Sequence, residues 1–399
     1  MKLPKADWQA RPEMRRLLRV LGAGAGETRF VGGCVRDTLL GLAVSDIDLA
    51  TRIEPDGVVD RLTESGIKAV PTGIAHGTVT AVIGGRPVEI TTLRRDVATD
   101  GRRATIAFTH DWRQDAARRD FTINALTADP ANRDLFDYFG GLDDLGARRV
   151  RFIGDPLTRI AEDHLRILRF FRFHGRFGVG QPDAAALDAC TARANDLMAL
   201  SRERIADELL KLLALDDPAP TVRLMVSRGI LAPVLPEIGD VGPLEHLVGA
   251  ERMAGVAPHP LRRLAALLPP DPAVVAAVAS RLRLSKKAQK RLVLAADGSG
   301  GDPRRLAYRI GSEAAVDRLL LAGETGAGLE ALEGWQAPRL PLTGGDLIAM
   351  GLAPGPEVAR TLQAVERQWE EQGFSADREA VRAIARREVD EALRARPGA

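Results

Sequence analysis

The chain has 399 residues, 56 basic against 54 acidic, for a net charge of +2. That length predicts two or three domains and suffices to bury a core without staples. Two cysteines, Cys34 and Cys190, exclude a disulfide framework and a cysteine-rich zinc site and point to a reducing, cytoplasmic compartment. No apolar run approaches the ~20 residues of a membrane span. Met1–Leu18, which carries Asp7 and Glu13, lacks the apolar stretch of a signal or transit peptide.

Up to about residue 155, short β-rich runs alternate with short helices. Thr28–Val31, Asp46–Thr51, Gly77–Ile83 and Pro87–Leu93 read as strands, with Gly84-Gly85 as a hairpin turn. Arg36–Leu40 reads as a helix stopped by Gly41. Pro55–Ser65 is a helix with proline at its first position and Gly66 just past its end. Thr92 to Trp112, with Gly101, Arg102 and Arg103, has no strong periodicity and reads as a loop. Leu135–Phe139 and Val150–Ile153 read as further extended pieces.

Beyond residue 155 the patterns are helical. Arg204, Ile205, Glu208, Leu209 and Leu212 belong to one helix with a split face. Val358, Leu362, Val365 and Trp369 form an amphipathic stripe behind the start signal Gly355-Pro356. Proline-rich breaks at 218–220, 233–236 and 269–272 separate the middle helices. The chain is α+β: a small sheet-containing head, then an all-α remainder.

The charge is unevenly spread. Forty-nine of the 56 basic residues are Arg and seven are Lys, a bias that a GC-rich genome explains. From Arg148 to Phe177 eight Arg face three acids, and from Thr91 to Asp120 seven Arg face five Asp; the rest of the chain is −5. A basic band of this kind is the electrostatic footprint an anionic substrate needs.

Three features within the head carry chemistry. Asp46-Ile47-Asp48 on a strand projects two carboxylates to one face. Such a pair repels itself unless a cation sits between, which suits Mg²⁺ in a two-metal phosphoryl-transfer site. Upstream, Phe30-Val31-Gly32-Gly33-Cys34-Val35-Arg36-Asp37 runs a strand through a glycine pair into a helix start, where backbone can approach phosphates and free N–H groups face an anion. Downstream, Val88-Glu89-Ile90 supplies a third carboxylate on another strand.

The order Gly32-Gly33-x-x-Arg36-Asp37, Asp46-x-Asp48, Glu89, Arg118-Arg119-Asp120-Phe121-Thr122-Ile123-Asn124-Ala125 and Glu162-Asp163-x-x-Arg166-x-x-Arg169 resembles the class II CCA-adding tRNA nucleotidyltransferase / bacterial poly(A) polymerase family, within the polymerase-β-like nucleotidyltransferase superfamily. The motifs cover roughly residues 28–212. A weaker match runs from Leu342-Thr343-Gly344-Gly345-Asp346-Leu347 to Gly355-Pro356.

The resemblance implies a small mixed-sheet nucleotidyltransferase head (1–150), a helical neck that recognises the base (151–215), and a helical body and tail that bind tRNA (216–399). It implies CTP and ATP as substrates and the 3′ acceptor end of tRNA as partner. Asp46 and Asp48 are then ligands of two Mg²⁺ ions, and Glu89 helps set the attacking 3′-hydroxyl. Gly32, Gly33 and Arg36 cradle the triphosphate. Arg118, Arg119, Asp120 and Asn124 read ribose and phosphates. Gln114-Asp115-Ala116-Ala117 departs slightly from the family's acidic-Leu lead-in. In the family the loop after Glu89 is needed for the final A. Asp137–Gly141 with Asp143-Asp144-Leu145 resembles the hinge motif, and Ser201-Arg202-Glu203-Arg204-Ile205 the last shared motif, with Ser201 as expected N-cap.

On one continuous helix, Asp163, Arg166 and Arg169 would share a face. A carboxylate accepts from an exocyclic amine, and a guanidinium donates to the adjacent ring nitrogen. Cytosine and adenine offer that pattern, whereas uracil and guanine reverse it and leave buried groups unpaired. Asp163 and Arg166 take these roles, with Arg169 in support; Leu165, Leu168 and Phe171 read as core. Rival readings are a poly(A) polymerase, which usually carries a longer basic extension than the mixed run Arg386–Ala399, and an A-adding-only enzyme. Gly22–Gly26 precedes its strand and reads as a linker. His110-Asp111 has no second His-Asp partner, so no metal-dependent phosphohydrolase domain is expected. Lys286, Lys287 and Lys290 read as a solvated helix face or an RNA-backbone contact.

Overall fold

The computed structural model describes residues 1–99, 104–297, 301–375 and 377–394; Gly101, Arg102, Arg103 and the terminal run 395–399 lie outside the described residues. The chain forms two units, Met1–Gly239 and Asp240–Ala399.

The first unit is built on a seven-stranded sheet of order β3-β4-β5-β2-β1-β8-β9. The strands are β1 (Thr28–Val31), β2 (Asp48–Thr51), β3 (Lys68–Gly73), β4 (Thr78–Ile83), β5 (Arg86–Thr92), β8 (Thr127–Ala128) and β9 (Leu135–Phe136); β6 (Arg94–Thr99) and β7 (Ala104–Phe108) form a separate antiparallel pair. The sheet is mixed: β2 and β5 run parallel and the other neighbours antiparallel. The expected β4–β5 hairpin is present. Gly84 and Gly85 have φ of +53° and +74°, the left-handed pair a two-residue type I′ turn requires.

Strand alternation separates core from site. Phe30, Leu49, Ile90 and Val79 are successive register partners across four strands, and all four are buried. The row beside them carries Val31, Asp48, Glu89 and Thr80, again in register, on the opposite face. The same backbone that fills the core therefore lines up two carboxylates.

Three expectations are corrected here. The second strand begins at Asp48, so Asp46 precedes it instead of sharing its pleat. Lys68–Gly73 forms an unexpected edge strand. Its Pro71 lies on an edge strand, where the register shifts between Val70 and Gly73, and both features tolerate proline. Within the stretch 92–112, read as a loop, Arg94–Thr99 and Ala104–Phe108 pair as the antiparallel strands β6 and β7, with a register shift between Asp96 and Ala98 that breaks the alternation sequence reading depends on.

The head continues into helices Pro156–Glu162, Arg166–Phe177, Ala184–Ala192 and Arg202–Leu213. Phe121 packs on Phe152 at 4.9 Å and Phe173 at 5.2 Å, which fixes the Arg118–Asp120 segment against the Arg166–Phe177 helix. Leu165, Leu168 and Phe171 are buried as expected.

The second unit is helical among its described residues. Two carboxylates and two guanidiniums, Glu251, Asp317, Arg262 and Arg263, are almost fully buried and satisfy one another, with Arg262 bridging Glu251 (2.6 Å) and Asp317 (2.8 Å). Pro356–Glu371 starts after Gly355 as expected and buries Val365 and Trp369 against Val381, Ile384 and Val389 of Arg378–Arg394.

Candidate active site

A cavity of about 570 Å³ in the first unit is lined by Gly32, Gly33, Arg36, Asp46, Asp48, Arg119, Asp120, Asn124, Asp163, Arg166, Arg169, Arg172 and Phe173. Eleven of the thirteen site residues expected from sequence therefore converge on one space. Glu89 and Arg118 do not line it. Glu89 is exposed, one strand over from Asp48 in direct register. Arg118 is turned away, donating from Nε to Asp115 Oδ1 at 2.9 Å.

Burial, then the nearby Glu89 and Asp46 charges, push the Asp48 carboxyl up to about 6, against the opposing pull of Arg119. Asp46 is exposed and accepts from Ser45 Oγ at 2.8 Å. Among the described residues no set of three His, Cys, Asp or Glu side chains closes a metal cage. Mutually repelling carboxylates on an open wall suit a hard divalent cation that takes one or two protein carboxylates and completes its shell with substrate phosphates and water. The donor set present fits such an ion.

At the glycine pair the chain turns with Gly32 at φ +68°, and a Cβ there would stand 3.1 Å from the Arg119 guanidinium. Glycine is needed for that close approach. Arg36, in the Gly33–Leu39 helix, is buried. Its Nε donates to Asp37 Oδ1 at 2.8 Å and its Nη1 to Asn124 Oδ1 at 2.5 Å, while its guanidinium carbon lies 4.1 Å from the Phe177 ring centre. It thereby joins the glycine turn to Asn124 and to the following helices.

Asp120 is the next link. Burial alone would push its carboxyl up. The Arg169 guanidinium (Nε 2.8 Å, Nη2 2.5 Å), together with Asn124 Nδ2 at 2.9 Å and the Phe121 N–H, outweighs burial and holds it below the usual carboxylate range. Arg169 also lies 3.8 Å from Glu208, which Arg172 holds at 2.6 Å. A continuous line of hydrogen bonds and ion pairs therefore runs Asp37, Arg36, Asn124, Asp120, Arg169, Glu208, Arg172 along and behind one wall.

Asp115 anchors the other wall. It is 3% exposed and accepts from Arg118 Nε, Arg119 Nη2 (3.4 Å) and the Arg94 N–H (3.3 Å) at the root of β6. Burial would raise its carboxyl, but the Arg119 and Arg118 charges hold it low. The carbonyls of Arg118 and Arg119 accept in turn from Arg166 and Arg159.

The Asp163–Arg166–Arg169 helix face is corrected. The helix from Pro156 ends at Glu162, Asp163 is extended (φ −153°), and a new helix starts at Arg166. The reason is local: Asp163 Oδ1 accepts from the Leu165 N–H at 3.1 Å, a short-range bond that competes with helix continuation. Asp163 does not pair with Arg166. Arg204 Nη2 contacts both its oxygens at 3.0 and 2.9 Å, while Arg166 donates to Glu162 at 2.5 Å and to the Arg159 carbonyl at 2.8 Å. Ser201 occupies the N-cap position of its helix, but its side chain makes no capping bond.

Sequence reading missed Asp115, Arg172, Arg204 and Glu208 as parts of the site. Glu208 carried a signal, a carboxylate on the apolar stripe of its helix. Arg204 carried one too, inside a motif read as support alone.

Residues 28–151 match the family described as "Poly A polymerase head domain", and residues 181–240 the one described as "Probable RNA and SrmB- binding site of polymerase A". With the sheet, the carboxylates and the arginine-lined cavity, these define a nucleotidyltransferase with an RNA-binding region. The mouse protein "CCA tRNA nucleotidyltransferase 1, mitochondrial" is 34% identical over 95% of this chain and 91% of its own length. The "CCA-adding enzyme" of Limosilactobacillus fermentum is 31% identical over 92% and 94%. The crystal structure of the Bacillus stearothermophilus CCA-adding enzyme in complex with CTP superposes with a TM-score of 0.75 at 25% identity, covering 96% of this chain and all of that one. The chain belongs to the CCA-adding tRNA nucleotidyltransferase family. No described helix is long and apolar enough to cross a membrane.

Proposed function

We propose that this chain extends the 3′ end of tRNA by C, C and A, taking the nucleotides from CTP and ATP and releasing pyrophosphate at each addition. The observation that carries this reading is the convergence of the glycine turn, Asp46, Asp48, Arg119, Asp163 and Arg166 on one cavity of about 570 Å³. Residues 1–150 act as the catalytic head, 151–215 as the neck, and 216–399 as the RNA-binding body and tail. Two free, buried cysteines suit a reducing compartment, which we take to be the cytoplasm, although three similar vertebrate proteins are named as mitochondrial.

Asp46 and Asp48 would hold Mg²⁺, which supplies charge neutralisation on the triphosphate and acidifies the attacking hydroxyl. Glu89, in register with Asp48, accepts a hydrogen bond from the 3′-hydroxyl and orients it. Gly32 and Gly33 let the backbone approach the phosphates. Arg119 faces the phosphates, with Asp120 and Asn124 on the ribose side. Arg36 and Arg118 work mainly by holding Asn124 and Asp115. Asp163 and Arg166 read the base edge, with Arg169 setting the wall between base and ribose. These assignments rest on the cavity lining and its hydrogen bonds, except that of Glu89, which rests on its register with Asp48, and that of Arg118, which rests on its bond to Asp115.

Offering tRNA ending before CCA, and tRNA ending in CC, with each NTP alone and with CTP plus ATP, tests the reading. Addition that stops after CCA is expected. Long A tails, or failure to use CTP, would overturn it.

A further inference from the structure

In-line phosphoryl transfer puts the attacking and leaving oxygens on opposite sides of the phosphorus. The sheet order fixes those two sides here. The glycine turn follows β1 on one flank of Asp48, and Glu89 on β5 lies on the other. With the triphosphate at Gly32 and Gly33, the acceptor's terminal nucleotide arrives from the Glu89 side, over β4 and β3.

That part of the sheet face carries hydroxyls. Thr80 on β4 is the register partner of Glu89. Two residues along, Thr78 partners Thr91, with their Oγ1 atoms 3.3 Å apart. Threonine is ordinary in a strand, so its presence alone marks nothing. The edge strand is less ordinary. Val70 pairs with Thr80, so an unshifted antiparallel ladder would set Thr72 opposite Thr78. An extra residue intervenes, Gly73 takes that place, and Thr72 Oγ1 meets Thr80 Oγ1 at 2.8 Å. Bulges beside active sites re-aim side chains in this way.

The Thr72–Thr80 pair is left with capacity to spare. Each hydroxyl can donate and accept, and the bond between them uses a single hydrogen. Neither hydroxyl has another partner among the described residues. Thr80 is buried at the foot of the pair and Thr72 is exposed at its rim. The free hydrogen and lone pairs therefore lie one strand spacing, ~4.8 Å, from Glu89.

We propose that Thr80, set in place by Thr72, binds the 2′-hydroxyl of the acceptor's terminal ribose and so selects an RNA 3′ end over a DNA one. The 2′- and 3′-hydroxyls sit on adjacent ribose carbons. A 3′-hydroxyl held by Glu89 thus brings its neighbour within reach of the next strand. The 2′-hydroxyl both donates and accepts, which matches the paired threonines, and it is the group that tells RNA from DNA. The inference rests on the proposed function for the place of the 3′-hydroxyl.

The test uses the full chain, CTP and two tRNAs ending before CCA, one with an ordinary terminal ribose and one with a 2′-deoxy terminus. The readout is the ratio of kcat/KM for the two ends. Wild type is expected to favour the ribose end by at least ~10-fold. Thr80→Val, close to threonine in shape, should cut that ratio about 3- to 10-fold, the worth of one hydrogen bond. Thr80→Ser should restore most of it. A merely structural role would slow both ends equally and leave the ratio alone. An unchanged ratio in Thr80→Val overturns the inference; should that variant not fold, an unchanged ratio in Thr72→Val, at the exposed edge position, does so. Transfer without the CCA pattern fails the proposed function, while the ratio still decides the ribose contact. Addition that stops at CCA with an unchanged ratio fails the ribose contact alone. No transfer to either end fails both.

Discussion

Arg204 contacts both carboxylate oxygens of Asp163, at 3.0 and 2.9 Å, across 41 residues of sequence. The carboxylate proposed to read the base is therefore set by a helix that follows it in the chain, and its i+3 neighbour Arg166 is engaged elsewhere.

Arg204→Ala frees Asp163 to rotate. Selectivity for CTP over UTP is expected to fall about 10-fold, about 1.4 kcal/mol. Arg204→Lys, which keeps the charge and loses the planar fork, should recover only part of it. Competition assays with mixed NTPs measure both; unaltered selectivity in Arg204→Ala would refute the positioning role.

Asp115→Asn loosens Arg118 and Arg119 together. Because Arg119 is the group proposed to face the phosphates and shares the Asp115 anchor with Arg118, KM should rise for CTP and ATP alike, by about 10- to 100-fold, as misplacement of a contact group does. Base selectivity should not change. A KM that rises for one nucleotide only would count against this geometry.

Mg²⁺ should stabilise the wild-type fold. At ten times its Kd the gain is about 1.4 kcal/mol by mass action. Asp48→Asn should abolish the Mg²⁺-dependent rise in melting temperature, and nucleotide transfer with it, while leaving tRNA binding intact. An equal Mg²⁺ shift in both proteins would remove Asp48 from the metal site.

Asp120 sets a pH dependence. Its carboxyl is held below the ordinary value, so its contribution to stability is complete above about pH 4 and is lost as pH falls through the depressed folded value. Asp120→Asn should cost about 1–3 kcal/mol at pH 7, because the half-buried Arg169 loses its charge-assisted hydrogen bonds and keeps only Glu208 at 3.8 Å, and should flatten the acid limb. Urea unfolding across pH 2–7 reads both; a parallel acid limb in the variant would show that other carboxylates govern it.

Much of this was legible in the sequence where chemistry and local geometry coincide. The glycine pair, Asp46, Asp48 and the Arg118–Asn124 run all reach the cavity wall or its immediate support, because each sits at a strand end or helix start that a few neighbouring residues dictate. What was illegible is long-range or conditional. Pro71 hid an edge strand that the fold tolerates by shifting register. The break at Asp163 turns on one side-chain bond to the Leu165 N–H, which period counting does not register. Arg204 and Glu208 join the site only when their helix packs against the Arg166–Phe177 helix, and no spacing rule connects residues so far apart.

The register between β2 and β5 has a consequence for how this enzyme can vary. Asp48 and Glu89 are neighbours because their parallel strands pair, whatever the length of chain between them. Insertions in the connections between those strands should be tolerated, and homologues are free to differ there in length. A single-residue insertion or deletion within Asp48–Thr51 or Glu89–Thr92 would instead turn one carboxylate toward the apolar face. Lineages should therefore record length change in the turns and almost none in these two four-residue stretches, and deletion scanning of the gene would find the same boundary.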